Sequence, residues 1–241
     1  MGLFSSTVPF KTFFNGFSDC HCHILYGVDD GVGDVRTSLS ILSEYSKMGV
    51  RRVFLTPHVM EDVPNAPHEL HNRFEELKSA IAHEGMESPD LHLASENMLD
   101  RLFEDRLESG DVLPYDEGHI LVETSYYNPP FNMDELLFKV RVKGYTPVLA
   151  HPERYIYMEE KDYRQLKKYD IMYQLNLSSL LGFYGDAAKK KAEWLLKEGL
   201  YDLTGTDLHR MSTLQGYKDA QISSKTAKSL ELLLNKSNSA L

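Results

Sequence analysis

In the segment Asp19-Cys20-His21-Cys22-His23 histidine alternates with cysteine, and Asp30 follows seven residues later. Extended backbone points residues two apart to the same side, so His21 and His23 offer two imidazoles to one divalent ion. Alone, His-x-His is a weak signal. It gains weight from His58 in Thr56-Pro57-His58, from Glu96 and Glu123, from His151 in Ala150-His151-Pro152-Glu153-Arg154, and from Asp207 and His209. Mixed imidazole and carboxylate donors without thiolates suit a catalytic site for manganese, iron or zinc, and not a closed cysteine-rich zinc site. So many donors imply two or three divalent ions sharing bridging carboxylates. Arg154 lies three residues past His151, where a guanidinium could hold a phosphate bidentately and stabilise charge developing on it. Arg210, next to His209, is a second substrate-binding candidate, with a salt-bridged structural role equally open.

Other residues with reactive side chains fall outside this set. Cys20 and Cys22 share the strand of His21 and His23 with the opposite parity, which aims them at covering helices as small buried hydrophobes. A cysteine-based phosphatase loop needs an arginine six residues after its cysteine, and those places hold Tyr26 and Val28. His68, His71 and His83 belong to a helix surface. His92 and His119 belong to strand starts, far from the rim. Tyr126, Tyr127, Pro129 and Pro130 fit either an aromatic wall for a substrate or a packed loop. The run Lys189-Lys190-Lys191 reads as a solvated helix face.

A scaffold must bring the candidate donors together. Short apolar runs suggest strands over Phe17–His21, Arg52–Thr56, Leu91–Ser95, Ile120–Glu123, Thr146–Ala150, Ile171–Leu175 and Tyr201–Gly205. Amphipathic stretches between them suggest helices near 35–48, 68–84, 98–108, 133–143, 161–169 and 187–198, with a last one near 225–235. Strict alternation implies a parallel sheet. With no linker and no break in composition, one closed barrel over residues 1–241 is expected, its core about 17–210; an open doubly wound sheet is the alternative. In such barrels active sites form where strands end. Six of the seven expected strand ends then deliver an imidazole, a carboxylate or both to one rim.

The formal net charge of -10 disfavours a partner gripped through many phosphates, such as duplex nucleic acid. It leaves a small phosphorylated substrate open, because bound divalent ions reverse the local sign of charge. Residues Met1 to Phe14 lack the basic start and apolar stretch of a signal peptide. No run approaches the ~18 apolar residues of a membrane span, and the cytoplasm is the expected compartment.

Taken together, Asp19-x-His-x-His23, Val28-Asp29-Asp30-Gly31, Thr56-Pro57-His58, Glu96, Glu123, Ala150-His151-Pro152-Glu153-Arg154-Tyr155 and Thr206-Asp207-Leu208-His209 resemble the polymerase and histidinol phosphatase (PHP) superfamily. Within it the chain looks like the manganese-dependent bacterial tyrosine-protein phosphatases encoded with capsule and exopolysaccharide genes. The resemblance, from about Phe17 to His209, implies a distorted (β/α)7 TIM-like barrel of the PHP type. It also implies a trinuclear centre, with manganese as the first expectation, and phosphotyrosine on a bacterial tyrosine autokinase as substrate. Two departures, Val59-Met60-Glu61-Asp62 and Leu214-Gln215-Gly216, stand where relatives often carry basic residues, and they bear on substrate more than on metal.

The expected reaction is direct hydrolysis of a phosphomonoester by a metal-bridging hydroxide. Arg154 would hold the phosphate, and His209 or Asp207 would help the leaving group. A small-molecule phosphatase of the histidinol-phosphate type shares the same metals and is the nearest rival. A nuclease is disfavoured by acidity, and a non-catalytic metal-binding scaffold by Arg154.

Overall fold

The computed structural model describes residues 6–116 and 118–240. Residues 1–5 of the stretch expected to lack a signal peptide lie outside them. The chain opens on strand β1 (Thr7–Pro9), a 3-10 turn (Phe10–Phe14), β2 (Ser18–Cys22) and helix α1 (Val35–Met48). Alternation continues through β3 (Arg52–Leu55), β4 (His58–Val59), α2 (Pro67–His83), β5 (Asp90–Leu93), β6 (Glu96–Met98), α3 (Arg101–Ser109), β7 (His119–Glu123) and α4 (Met133–Val142). Next come β8 (Thr146–Ala150), α5 (Glu160–Lys167), β9 (Met172–Asn176), α6 (Leu177–Leu180) and α7 (Gly185–Lys197). The last elements are β10 (Leu203–Gly205), α8 (Met211–Asp219), β11 (Gln221–Ser223) and α9 (Ser224–Ser237). Side-chain caps fix several starts: Asp34 accepts from the Thr37 amide at 3.1 Å, and Asp100 from that of Phe103 at 2.9 Å. No helix of the described residues is long and apolar enough to cross a membrane.

Two parallel sheets, β2-β3-β5 and β4-β6-β7-β8-β9-β10, make up the scaffold. They are one wall, because β3 runs into β4 and β5 into β6, each after a two-residue break. Pro57, which has no N–H to give a ladder, marks the first break. The free edges, β2 and β10, meet just beyond β10. There the Asp207 amide donates to the His21 carbonyl at 2.7 Å, and the His23 amide to that of Leu208 at 3.0 Å. The result is the expected seven-unit α/β barrel, distorted by the two breaks.

The ladder between β2 and β3 pairs Asp19 with Val53 and Cys22 with Leu55, so β2 carries one extra residue. This bulge corrects the parity argument for Cys20. Its side chain joins Phe54, Leu121, Val148, Ala150 and Leu203 inside the barrel, whereas Cys22 packs in the outer layer as expected. Both thiols are fully buried. Asp19 bridges the irregularity, accepting from the Thr206 amide at 2.8 Å, the Thr206 hydroxyl at 2.6 Å and the Tyr45 hydroxyl at 2.9 Å.

At the other end of the barrel, α9 acts as a floor. The Ser237 hydroxyl accepts from the Thr204 amide at 3.0 Å. Elements absent from the sequence reading are the antiparallel pair β1–β11, which sets Thr7 opposite Ser223, and helices α6 and α8. Gly216 inside α8 weakens its helical signal. The lysine run also needs correction: Lys190 is exposed, but Lys191 is half-buried and donates to the Met158 carbonyl at 2.9 Å and to that of Tyr155. It therefore steadies the loop that follows Arg154.

Candidate metal centre

Each candidate donor arrives from the C-terminal side of the barrel wall. His21 is set by the bulge of β2 and His23 lies just past that strand. His58 starts β4, Glu96 starts β6 and Glu123 ends β7. His151 follows β8, while Asp207 and His209 follow β10. Their donor atoms converge in three overlapping groups, each within 4.8 Å: His23, Asp30, His58 and His209; His21, His23, Glu96 and Asp207; and His58, Glu96 and Glu123. His151 falls outside those groups but adjoins them, with Nε2 2.9 Å from Glu96 Oε1 and 3.9 Å from Glu123 Oε2. All nine candidates therefore meet at one rim.

The spacings are those of donors crowded around shared centres. His21 Nε2 and His23 Nε2 are 3.0 Å apart, and each stands 3.2 Å from Glu96 Oε2. Asp207 Oδ1 is 3.5 Å from His21 Nε2 and 3.4 Å from His23 Nε2. His58 Nδ1 lies 3.1 Å from both Glu96 Oε2 and Glu123 Oε1, yet neither contact has hydrogen-bond geometry. These three atoms, and His151 Nδ1, are buried without a hydrogen-bond partner. Such atoms are costly unless something else satisfies them.

Charge is tightly coupled across the cluster. Burial opposes protonation of His21 and His23, but the carboxylates around them (Glu96, Asp207 and Asp29) outweigh it and raise both above the ordinary imidazole value. Burial and the charge of His23 oppose His58 too, yet Glu96 and Glu123 bring it to about 10. Burial would lift Glu96 and Asp207; His21 and the other facing imidazoles hold both well below the usual carboxylate range. Asp30, hydrogen-bonded to His209, falls to about 2.

Several supporting residues were not singled out from the sequence. Asp29 Oδ2 accepts from the His58 amide at 3.0 Å and lies 2.8 Å from His23 Nδ1, so it orients two imidazoles at once. Gln174 Oε1 does the same from β9, 2.9 Å from His21 Nδ1 and accepting from the His151 amide at 3.3 Å. The Asn176 amide group donates to Asp207 Oδ2 at 2.8 Å. Polar Gln174 and Asn176 alternate with Tyr173, Leu175 and Leu177, and that period was the available signal. Two glycines let backbone pass close: a Cβ on Gly205 would sit 2.5 Å from His21 Cβ, and one on Gly31 2.1 Å from the His23 carbonyl oxygen. His151 (φ 33°) and Asp207 (φ 52°) both hold left-handed backbone. Such strain costs about 1–3 kcal/mol each and gathers at functional sites.

Above the rim opens a cavity of about 380 Å³, lined by Asp30, His58, Asp207 and His209 together with Tyr126, Arg154 and Tyr184. Arg154 donates to Asp207 Oδ2 at 2.8 Å, and its guanidinium carbon lies 4.1 Å from the Tyr126 ring centre and 3.9 Å from that of Tyr184. Arg210 is exposed at the mouth. Tyr126 thus forms a wall, while Tyr127 projects outward, 70% exposed. His68, His71 and His83 are exposed; His92 pairs with Asp90 and His119 with Asp116, both away from the rim. Leu214, in the second departure, is buried core.

Comparison with known proteins agrees with this arrangement. The tyrosine-protein phosphatase YwqE of Bacillus subtilis (strain 168) is 27% identical over 199 residues, covering 81% of this chain and 78% of the relative. The tyrosine-protein phosphatase CpsB of Streptococcus pneumoniae is 29% identical over 210 residues, covering 83% and 85%. A solved structure from work on YwqE and CpsB, described as unique metal-dependent tyrosine phosphatases, matches with a TM-score of 0.73 and 25% identity over 91% of this chain and 94% of that one. The lactonase Lmo2620 of Listeria monocytogenes, 12% identical with a TM-score of 0.51 over 86% and 83%, shares the fold alone. A family model described as capsular polysaccharide synthesis, CpsB/CapC, matches residues 17–223, and the chain belongs to that family.

Proposed function

We propose that this chain, acting as one barrel unit in the cytoplasm, is a metal-dependent protein-tyrosine phosphatase. Its substrate is phosphotyrosine on a bacterial tyrosine autokinase that governs capsule or exopolysaccharide synthesis. The carrying observation is a buried imidazole–carboxylate cluster, with unpartnered Glu96 Oε2, Glu123 Oε1, His58 Nδ1 and His151 Nδ1, beside a cavity that Arg154 also lines. That donor set fits divalent ions: hard and borderline oxygen and nitrogen ligands, no thiolate, and lone pairs left over. His21, His23, Asp30, His58, Glu96, Glu123, His151, Asp207 and His209 would hold two or three, manganese first. Such ions supply a nucleophilic water at neutral pH and neutralise phosphoryl charge.

The side chains perform the rest. Arg154 uses one N–H on Asp207, which leaves the others of its fork for the equatorial phosphate oxygens as charge develops. Asp207 is buried and held ionised, so it serves as a ligand and not as a proton donor. His209, half-buried at the cavity with Nδ1 2.9 Å from the Asp207 carbonyl, would assist the leaving oxygen through Nε2 where that atom is not a metal ligand. That demand is modest, since a phenol of pKa about 10 leaves readily as phenolate. Arg210 at the mouth meets the flanking substrate. The test is chelator-stripped protein assayed on a phosphotyrosyl peptide and on histidinol phosphate, before and after manganese is returned. Metal-restored activity favouring the peptide is expected; full activity without metal, or preference for histidinol phosphate, refutes the reading.

A further inference from the structure

We propose that Glu153 is a positioning residue, which fixes where the Arg154 guanidinium and the Asp207 carboxylate stand relative to each other; this rests on the phosphatase reading above. Glu153 and Arg154 are neighbours on the 3-10 turn Pro152–Arg154, where the Arg154 amide donates to the His151 carbonyl at 2.9 Å. With three residues per turn, successive side chains leave such a helix about 120° apart. One of the pair can therefore anchor the turn while the other faces the cavity. Arg154 lines the cavity, and Glu153 is 1% exposed. Its carboxylate is held at both oxygens: Oε1 accepts from the Asn176 backbone amide at 3.0 Å and Oε2 from the Tyr201 hydroxyl at 2.8 Å. Asn176 ends β9 and Tyr201 lies just before β10, so the turn after β8 is tied to both following strands.

The contacts form a closed circuit. Asn176, bound to Glu153 through its backbone, donates through its side chain to Asp207 Oδ2 at 2.8 Å. The same oxygen accepts from Arg154, also at 2.8 Å. Asp207 thus commits one oxygen to the circuit and turns Oδ1 to His21 and His23, 3.5 and 3.4 Å from their Nε2 atoms. A guanidinium tied only at its tip can swing. With its own turn and its acceptor both fixed through Asn176, the fork keeps one direction. Donors already aimed at developing charge need no reorganisation during reaction, and a misplacement near 1 Å can cost about 10²-fold.

A carboxylate that merely supports the fold predicts something different: its loss would multiply with the loss of Arg154. A residue acting through Arg154 has little left to lose once that side chain is gone. Manganese-loaded wild type, Glu153→Ala, Arg154→Ala and the double variant are compared by kcat on a phosphotyrosyl peptide and by calorimetric affinity for inorganic phosphate, with metal content measured on each. Glu153→Ala is expected to lower kcat about 10- to 100-fold and phosphate affinity about three- to tenfold at full metal content, yet each by no more than about twofold in the Arg154→Ala background. Glu153→Gln can accept from Asn176 through its carbonyl and donate to Tyr201 through its amide, and should recover most of the loss. Equal factors in both backgrounds, or a loss that follows missing metal, overturn the proposal. Should Glu153→Ala fail to fold, Asn176→Ser decides it. Serine keeps the cap that Asn176 gives the Ser178 amide but is too short for Asp207, so wild-type kcat in that variant overturns the circuit. Wild type inactive on the peptide refutes the phosphatase reading, and this proposal with it.

Discussion

Replacing Arg154 with alanine tests the division of labour between the donor rim and the guanidinium beside it. The side chain makes one charge-assisted hydrogen bond, to Asp207 at 2.8 Å, and lies against two aromatic rings. Bonds of that kind are worth about 1.5–3 kcal/mol and cation–π contacts about 0.5–2 kcal/mol each. The group is 16% exposed and its neighbours can close over the gap, so a stability loss of about 1–3 kcal/mol is expected, less than the sum. Catalysis should suffer more. Removing a donor that meets transition-state charge costs about 2.7–4 kcal/mol, roughly 10²–10³ in kcat. Arg154→Lys keeps the charge but loses the planar fork, and should fall between, about 10- to 100-fold down. Steady-state kinetics on a phosphotyrosyl peptide, with metal content and melting temperature measured on the same samples, make the comparison. The reasoning fails if Arg154→Ala keeps kcat within about fivefold at full metal content, or if its whole defect follows lost metal.

Three further outcomes follow from the geometry. Asp29→Asn and Gln174→Leu should weaken manganese binding about 10- to 100-fold, because each fixes imidazoles of the rim; titration calorimetry showing unchanged affinity would contradict this. Gly205→Ala drives a methyl into His21 and should cost about 1–3 kcal/mol by denaturant unfolding together with metal affinity, so a variant as stable as wild type would be a surprise. The third concerns pH. In stripped protein the raised His58 contributes stability that is full below its unfolded value of about 6.5 and is lost as pH rises through about 10. His21 and His23, raised in the same direction, act with the same sign. Melting temperature of stripped protein should therefore fall across that window while loaded protein holds, and metal loading should release protons; a flat profile for stripped protein would sink the argument.

Much of the site was legible because metal donors belong to few residue types and β-α alternation says where strand ends face. His21, His23, His58, Glu96, Glu123, His151, Asp207 and His209 could be placed on one rim from those facts alone. What escaped has physical causes. The bulge in β2 changes parity within a five-residue strand, and nothing in Asp19-Cys20-His21 announces an extra residue, so Cys20 was turned the wrong way. Tyr184 lies just before α7, far in sequence from Arg154, and only the closed barrel brings the two together. Gln174 was missed because the search rested on imidazoles and carboxylates, though its place inside an apolar strand was visible. Helix α8 and the β1–β11 pair depend on tertiary packing more than on local pattern.

The seam that closes the barrel has a consequence for how the protein is made. His21 sits on the first barrel strand and His23 just past it, and Asp207 and His209 follow the last, joined by the Asp207-to-His21 and His23-to-Leu208 backbone hydrogen bonds. A chain emerging from the ribosome therefore holds the first two imidazoles long before their partners exist. The second metal-site group cannot close until residue 207, nor the first until residue 209, has been synthesised and folded back across the whole sheet. Contacts of such long range form late. A chain shorter than this has only the third group, His58, Glu96 and Glu123, fully in hand, so the two groups that share His23 depend on closure of the seam.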